Sequence, residues 1–490
     1  MKKLICIFLI CISCQSQTTT KKQNTTKNQD SKEIEAIENG LLLETQAEGD
    51  VVQTFNIIER MNFYKVPGVS ITVVENGKIK WAKGYGTANT NTNLKVDENT
   101  IFQAGSISKP IAALALLQLV EKGILDLDVD VNTYLKDWKV PNNEFTKNEK
   151  VTLRRLLTHT AGVTVHGFPG YKQSTTIPTT TQVLNGEGNT PKIFVDTVPG
   201  TIWRYSGGGY TIAQKVVEEM TQQPFETYVN TNVLKSIGMK NSTFEQPLAN
   251  RKGNISAAYD YQGRIIDGLW HNYPEKAAAG LWTTPSDLAK YCIEIQEILK
   301  GKENAVLTKE TVVEMLKKHK NDWGLGPSLQ FGKDFLIFRH GGKNAGFTNR
   351  FISFSKRGTA VIIMTNADNG NSLIDEILRA ISNYYDLGIS NPRIVKAIKL
   401  SNDKLSRLTG KYKLNYQVPN IGDYFIEISI KDDKLFVNDP NNGDTKVLTA
   451  LGDLKFIDLA IGDEGMFQIE DDKVGLVWGL NRFQFFKVDE

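Results

Sequence analysis

The chain has 490 residues, 40% of them hydrophobic and 23% charged, with a formal net charge of +3. That length exceeds one ordinary hydrophobic core, so two domains plus tails are expected. Basic and acidic residues are interspersed, leaving no basic stripe for nucleic acid, and the 5 histidines show no metal-ligand spacing, so no metal or other cofactor is expected. Met1-Lys2-Lys3 and the apolar run from Leu4 to Ile12 have the charged and hydrophobic regions of an export signal, too short to span a membrane.

That run ends at Cys11-Ile-Ser-Cys14, which resembles a bacterial lipoprotein signal with Cys11 where leucine is usual. The resemblance implies a signal over 1–14 and lipidation of Cys14. The protein is then expected to be an exported lipoprotein, periplasmic or anchored at the outer membrane of a bacterium. Ordinary secretion with cleavage nearby is the alternative. Residues 15–35, rich in Gln, Thr, Lys and Asn, read as a disordered tether. Past the signal only Cys14 and Cys292 remain, so the folded part holds no disulfide.

A helical stretch is expected to run up to about Phe63. Val69–Val74, the turn Glu75-Asn-Gly77 and Lys78–Ala82 predict a hairpin. Gly84-Tyr-Gly86 lacks the third glycine of a dinucleotide motif. Next comes Ser106-Ile-Ser-Lys109-Pro110 and an apolar run to Val120, a buried helix with serine and lysine one turn apart at its mouth. A buried amine loses affinity for its proton and can take one from a neighbouring hydroxyl. The same Ser-x-x-Lys spacing at Ser353 and Ser401 opens no comparable helix, while the bland reading of Ser106 is a helix cap.

Val151–Gly162 reads as a short amphipathic helix, with His159 either catalytic or packed in the turn. Residues 163–199 form a long loop rich in Gly, Pro and Thr. Tyr205-Ser-Gly207-Gly-Gly then leads into another amphipathic helix, the glycines allowing close packing or positive φ. Thr284 or Ser286 is placed to cap the helix after Ala277–Pro285. Strands Phe335–Phe338, Asn349–Phe354 and Thr359–Thr365 follow, the first running into His340-Gly341-Gly342, and a helix from Ser372 to Tyr385 closes the domain. Two hairpin systems around a helical middle predict an α+β fold, one antiparallel sheet flanked by helices with a mostly helical subdomain. Domain limits are set at 36–388, a linker at 389–400, and a small all-β barrel or sandwich over 401–490 whose strands fall at 424–430, 434–437, 467–470, 474–478 and 483–488.

Ser106-x-x-Lys109, Tyr205-Ser-Gly207 and His340-Gly-Gly342, in that order, resemble the serine β-lactamase-like superfamily of class C β-lactamases, penicillin-binding proteins, D-aminopeptidases and esterases. Val66-Pro-Gly68, Leu156–Gly162 and Gly280–Asp287 extend the likeness over roughly residues 50 to 385, and the C-terminal unit resembles an appended lipocalin-like domain. The resemblance implies that Ser106 is an acylated nucleophile and that Lys109 and Tyr205 share the acid–base work, with the Tyr205 pKa lowered near cationic groups. It implies that His340 stands where many relatives have lysine, and that Gly341 and Gly342 let the strand approach substrate. The backbone N–H groups of Ser106 and Lys343 form the implied oxyanion hole. Gly207 replaces an asparagine whose amide contacts acylamino substrates in relatives, which argues against an efficient β-lactamase. The expectation is a cell-envelope serine hydrolase acting on a small-molecule or peptide substrate through an ester, amide or D-amino-acid peptide bond. The alternatives are a β-lactamase or D-Ala-D-Ala carboxypeptidase, or a non-catalytic envelope binding protein. The sequence leaves the oligomeric state open.

Overall fold

The computed structural model describes residues 31–248, 253–418, 422–440, 444–471, 473–479 and 482–488. The export signal and the Cys14 anchor lie outside the described residues. The chain divides into two compact units, one of residues 58–374 and one that joins residues up to 57 to residues 375–490. The division falls inside the helix Gly370–Tyr384, ahead of the expected limit at 388.

The 58–374 unit is built on one antiparallel sheet from both ends of the segment, as the hairpins predict. Its strands are β1 (Gly68–Glu75), β2 (Lys78–Asn89), β3 (Leu94–Lys95), β4 (Ser328–Phe331), β5 (Leu336–Asn344), β6 (Phe347–Phe354) and β7 (Ala360–Thr365). Across the sheet the order is β3-β2-β1-β7-β6-β5-β4. The join is β1 against β7, where Val69 to Val74 pair with Thr365 to Ala360. Both strands are apolar nearly throughout and buried, as strands at the middle of a covered sheet must be.

Helix α1 (Ser108–Glu121) is buried on almost every side, which its run of Ala, Leu and Ile allows without a polar face. Helix α2 is Gly207–Thr221. Helix α3 (Pro285–Leu299) starts on Thr284, whose side chain accepts from the Asp287 N–H with Pro285 in the first turn, so Thr284 and not Ser286 is the cap. From α3 the Gln296 amide donates to Ser353 Oγ and to the Phe354 and Thr359 carbonyls, pinning the helix to β6.

The other unit departs from expectation in two places. The stretch before Phe63 is not one helix: a helical segment over 31–38, overlapping the end of the expected tether, gives way to short strands at Leu41–Leu42, Thr45–Ala47 and Thr54–Phe55, and a second helix begins only at Ile57. The expected linker carries a strand, Arg393–Val395, paired in parallel with Thr45–Ala47. Beyond it, eight strands from Gly410–Leu414 to Phe483–Val488 close into an antiparallel barrel, the form a lipocalin-like domain has. Leu405 and Leu408 pack into its core beside Tyr412, Phe456 and Phe467.

Candidate active site

Ser106 does not lie in α1. It sits in a 3-10 turn, Gly105–Ile107, directly ahead of the helix, and caps nothing with its side chain. Lys109 is in the first turn of α1 and only 2% exposed. Its Nζ lies 3.1 Å from Ser106 Oγ and 2.8 Å from the Ala278 carbonyl oxygen. Burial, with no carboxylate among the described residues to counter it, lowers the Lys109 pKa to about 7. An amine in that state can donate one N–H to Ala278 and direct its lone pair at the serine hydroxyl.

Tyr205 stands beside the pair, near enough for its phenol to interact with the Ser106 hydroxyl. The Lys109 Nζ lies 4.8 Å from the centre of its ring. Its pKa moves opposite to expectation. Burial pushes the phenol well above its ordinary value, and the Ser106 hydroxyl offsets only part of that. At neutral pH Tyr205 therefore keeps its proton, and of the two groups Lys109 is the one able to accept one.

Strand β5 supplies the third side. Strand β4 pairs only with Leu336–Arg339, so beyond Arg339 that edge of β5 is free of a partner strand. The nucleophile turn packs there. A side chain on Gly342 would land 1.8 Å from the Ala104 carbonyl oxygen, and one on Gly105 would land 2.6 Å from the Lys343 backbone nitrogen. Both positions need glycine for this close approach, Gly105 also for its φ of 56°. Gly341 does not, since a side chain there would meet only the Asn349 oxygen at 3.8 Å. The contact brings the Lys343 N–H to the turn that carries Ser106, where two backbone donors can face one oxyanion.

Along β5 burial alternates, so His340, Gly342 and Asn344 face inward while Gly341 and Lys343 face out. His340 Nδ1 lies against the Gly341 carbonyl oxygen and so carries the proton, leaving the Nε2 lone pair buried without a partner among the described residues. Burial first, then Lys109, lowers its pKa to about 3, so the imidazole is neutral. Asn344 donates to Gln103 Oε1 at 2.9 Å and to the Ala279 carbonyl at 3.1 Å. That ties β5 to the strand before Ser106 and to the turn that holds Lys109. Sequence reasoning missed Asn344, although period-two spacing from His340 points to it.

Also missed was an aromatic enclosure. Tyr205 packs against His159 at 4.2 Å, His166 at 5.0 Å and Trp323 at 5.8 Å between ring centres, and Trp323 lies 5.6 Å from His340. His159 is held in place because its Nδ1 accepts from the Ser206 N–H at 3.1 Å, which makes Nε2 its protonated nitrogen. The glycines after Ser206 pack closely and do not take positive φ. Gly207 N donates to the His166 carbonyl, Gly208 N to the Val165 carbonyl and Gly209 N to Ser206 Oγ, so loop 163–168 seals the start of α2.

Residues 55–384 match the family model described as beta-lactamase. The chain is 27% identical to Protein flp of Staphylococcus aureus strain N315 over 225 residues, 45% of this chain and 42% of that protein, so it spans less than half the length of such relatives. Among solved structures it is similar to an octameric penicillin-binding protein homologue from Pyrococcus abyssi, at TM-score 0.61 and 22% identity over 88% of this chain and 98% of that one. It is also similar to a D-amino acid amidase from Ochrobactrum anthropi SV3 complexed with L-phenylalanine amide, at TM-score 0.54 and 19% identity over 67% and 97%. At those identities the likeness is one of fold. With the family model covering the whole of the 58–374 unit, the chain belongs to the beta-lactamase family, the penicillin-binding-protein-like serine hydrolases.

Proposed function

We propose that this chain is a cell-envelope serine hydrolase that cleaves a small ester or amide, D-amino-acid amides and peptides included, through an acyl-enzyme on Ser106. The observation that carries the proposal is a buried lysine with a pKa of about 7 lying 3.1 Å from a serine hydroxyl. Lys109 takes the hydroxyl proton as Ser106 Oγ attacks the substrate carbonyl carbon. The N–H groups of Ser106 and Lys343 stabilise the oxyanion. The bond to the leaving group then breaks, and that group takes a proton from the Tyr205 phenol, which Lys109 reprotonates. Water repeats the sequence on the acyl-enzyme and releases the acid.

Two features disfavour a penicillin or a peptide with a free C-terminal carboxylate. Where many relatives place a lysine cation, His340 is neutral. Where the second motif of relatives carries an amide, this chain has Gly207. The fold shared with a D-amino acid amidase agrees with amide substrates. Export and lipidation at Cys14 belong to the same proposal and rest on the pattern of residues 1–14. A fluorophosphonate probe followed by peptide mapping tests the chemistry. Labelling is expected at Ser106 and absent in Ser106→Ala; labelling at another serine, or undiminished labelling of the variant, overturns it.

A further inference from the structure

We infer that Phe168 is a specificity-determining residue of this site: its ring closes the Tyr205 wall to any side chain at 207 and restricts the site to compact acyl groups. The inference rests on the acyl-enzyme reading above and concerns which acyl group that site admits.

The packing is direct. A side chain built on Gly207 would come within 2.7 Å of Phe168 Cε2, 3.1 Å of the His166 carbonyl oxygen and 3.4 Å of Phe168 Cδ2. Gly207 has no positive φ, so what demands glycine there is the occupied space. Tyr205, two residues earlier, lies beside the Ser106 hydroxyl, and the His166 ring packs tilted against the Tyr205 ring. Phe168 thus belongs to the same wall as the group that touches the nucleophile.

The loop bearing Phe168 is fixed at several points. Ser206 Oγ donates to the Thr164 carbonyl at 2.9 Å, and Thr164 N donates to the Phe194 carbonyl. Val165 is held at φ 65°, a region that a β-branched residue enters only under constraint. Past the ring, Gly170 packs on Tyr273, and the Pro169 carbonyl meets His271 Nδ1 at 3.0 Å. The loop is held on both sides of Phe168, and the ring itself is partly buried against the core, so it stands as a wall. Long acyl chains lose at that wall because the ring fills their path.

The test uses the full chain and four proteins: wild type, Phe168→Ala, Gly207→Asn and the double variant. Alkyl fluorophosphonates of increasing chain length are compared by their rate of Ser106 modification. p-Nitrophenyl esters from acetate to octanoate, with the N-acetylglycine ester, are compared by kcat/KM. Phe168→Ala is expected to raise the long-to-short chain ratio by about tenfold or more, the scale on which pocket volume discriminates. Gly207→Asn alone is expected to lower Tm and activity, and adding Phe168→Ala to restore Tm and improve the N-acetylglycine ester relative to acetate. Ser106 labelled with an unchanged chain-length ratio in Phe168→Ala overturns the inference and leaves the proposed function standing. So does Gly207→Asn with wild-type Tm and labelling, since the space would then be open. Folded wild type that no reagent labels at Ser106 overturns the proposed function itself, and the inference falls with it.

Discussion

Replacing Lys109 by arginine separates a base from a mere positive charge. The reasoning begins with a population. At pH 7 an amine of pKa 10.5 is unprotonated in about one molecule in 3,000, and at a pKa of about 7 in one of two. Burial therefore enriches the competent base on the order of a thousandfold. Arginine keeps a cation in place but cannot deprotonate near neutrality. Lys109→Arg and Lys109→Ala should both slow Ser106 modification by about two to four orders of magnitude, the usual contribution of a positioned base. The assay is the second-order rate of fluorophosphonate labelling from pH 5 to 9, with circular dichroism to confirm folding. In wild type the rate should climb about tenfold per pH unit below 7 and level off above it, because the base form accumulates as pH rises through the folded pKa. The linkage has a matching sign: with the folded pKa depressed, the folded state binds fewer protons between about 7 and 10.5, and stability rises with pH in that window. A folded Lys109→Arg protein that labels within tenfold of wild type, or a wild-type rate flat across pH 7, refutes the assignment.

Tyr205→Phe should also cost about two to four orders of magnitude in ester turnover. Because burial raises the phenol pKa, wild-type activity should show no alkaline fall below pH 10, and a descending limb at pH 8 to 9 would contradict a neutral Tyr205 donor. Glu275 is fully buried, and neither carboxyl oxygen has a partner among the described residues. Burial raises its pKa to about 8, so the folded state holds the proton from about pH 4.5 to 8 and stability falls as pH rises across that range. Glu275→Gln should remove that slope, seen as a Tm gain at pH 8.5 that is absent at pH 5.5; parallel Tm profiles for the two proteins would show that Glu275 ionises unhindered.

The parts of this fold that are legible in the sequence are those fixed over short distances. Ser106 and Lys109 are three residues apart, so one helical turn brings them together in any fold that builds the helix. The hairpin of β1 and β2 is set by Asn76-Gly77, with both residues at positive φ. Tyr205 and His340 were placed by the order of three motifs, not by geometry. What escaped depends on groups far apart in the chain. The direction of the Tyr205 pKa shift follows from how completely neighbours cover it, which no local pattern encodes. The Arg393–Val395 strand exists because Thr45–Ala47 is beside it. In the barrel, strands with clean alternation stand out, whereas Gly410–Leu414, Asp444–Ala450 and the four-residue Lys455–Asp458 are too short or too polar to do so.

The two departures from the family pattern, Gly207 and His340, share one physical consequence. Gly207 yields its space to Phe168 and His340 is neutral, so an apolar and an uncharged group stand where relatives have an amide and a cation. Rings of His159, His166, Trp203 and Trp323 gather around Tyr205 beside them. That same dryness is what lowers the Lys109 pKa, since burial is its cause. Activation of the base and choice of substrate are therefore not independent. A substrate carboxylate brought beside Lys109 would favour the ammonium form, push its pKa back toward 10.5 and withdraw the base at the moment of binding. An uncharged ester or amide leaves the amine as the empty site sets it. A serine activated by desolvation alone is matched to substrates that carry no negative charge of their own.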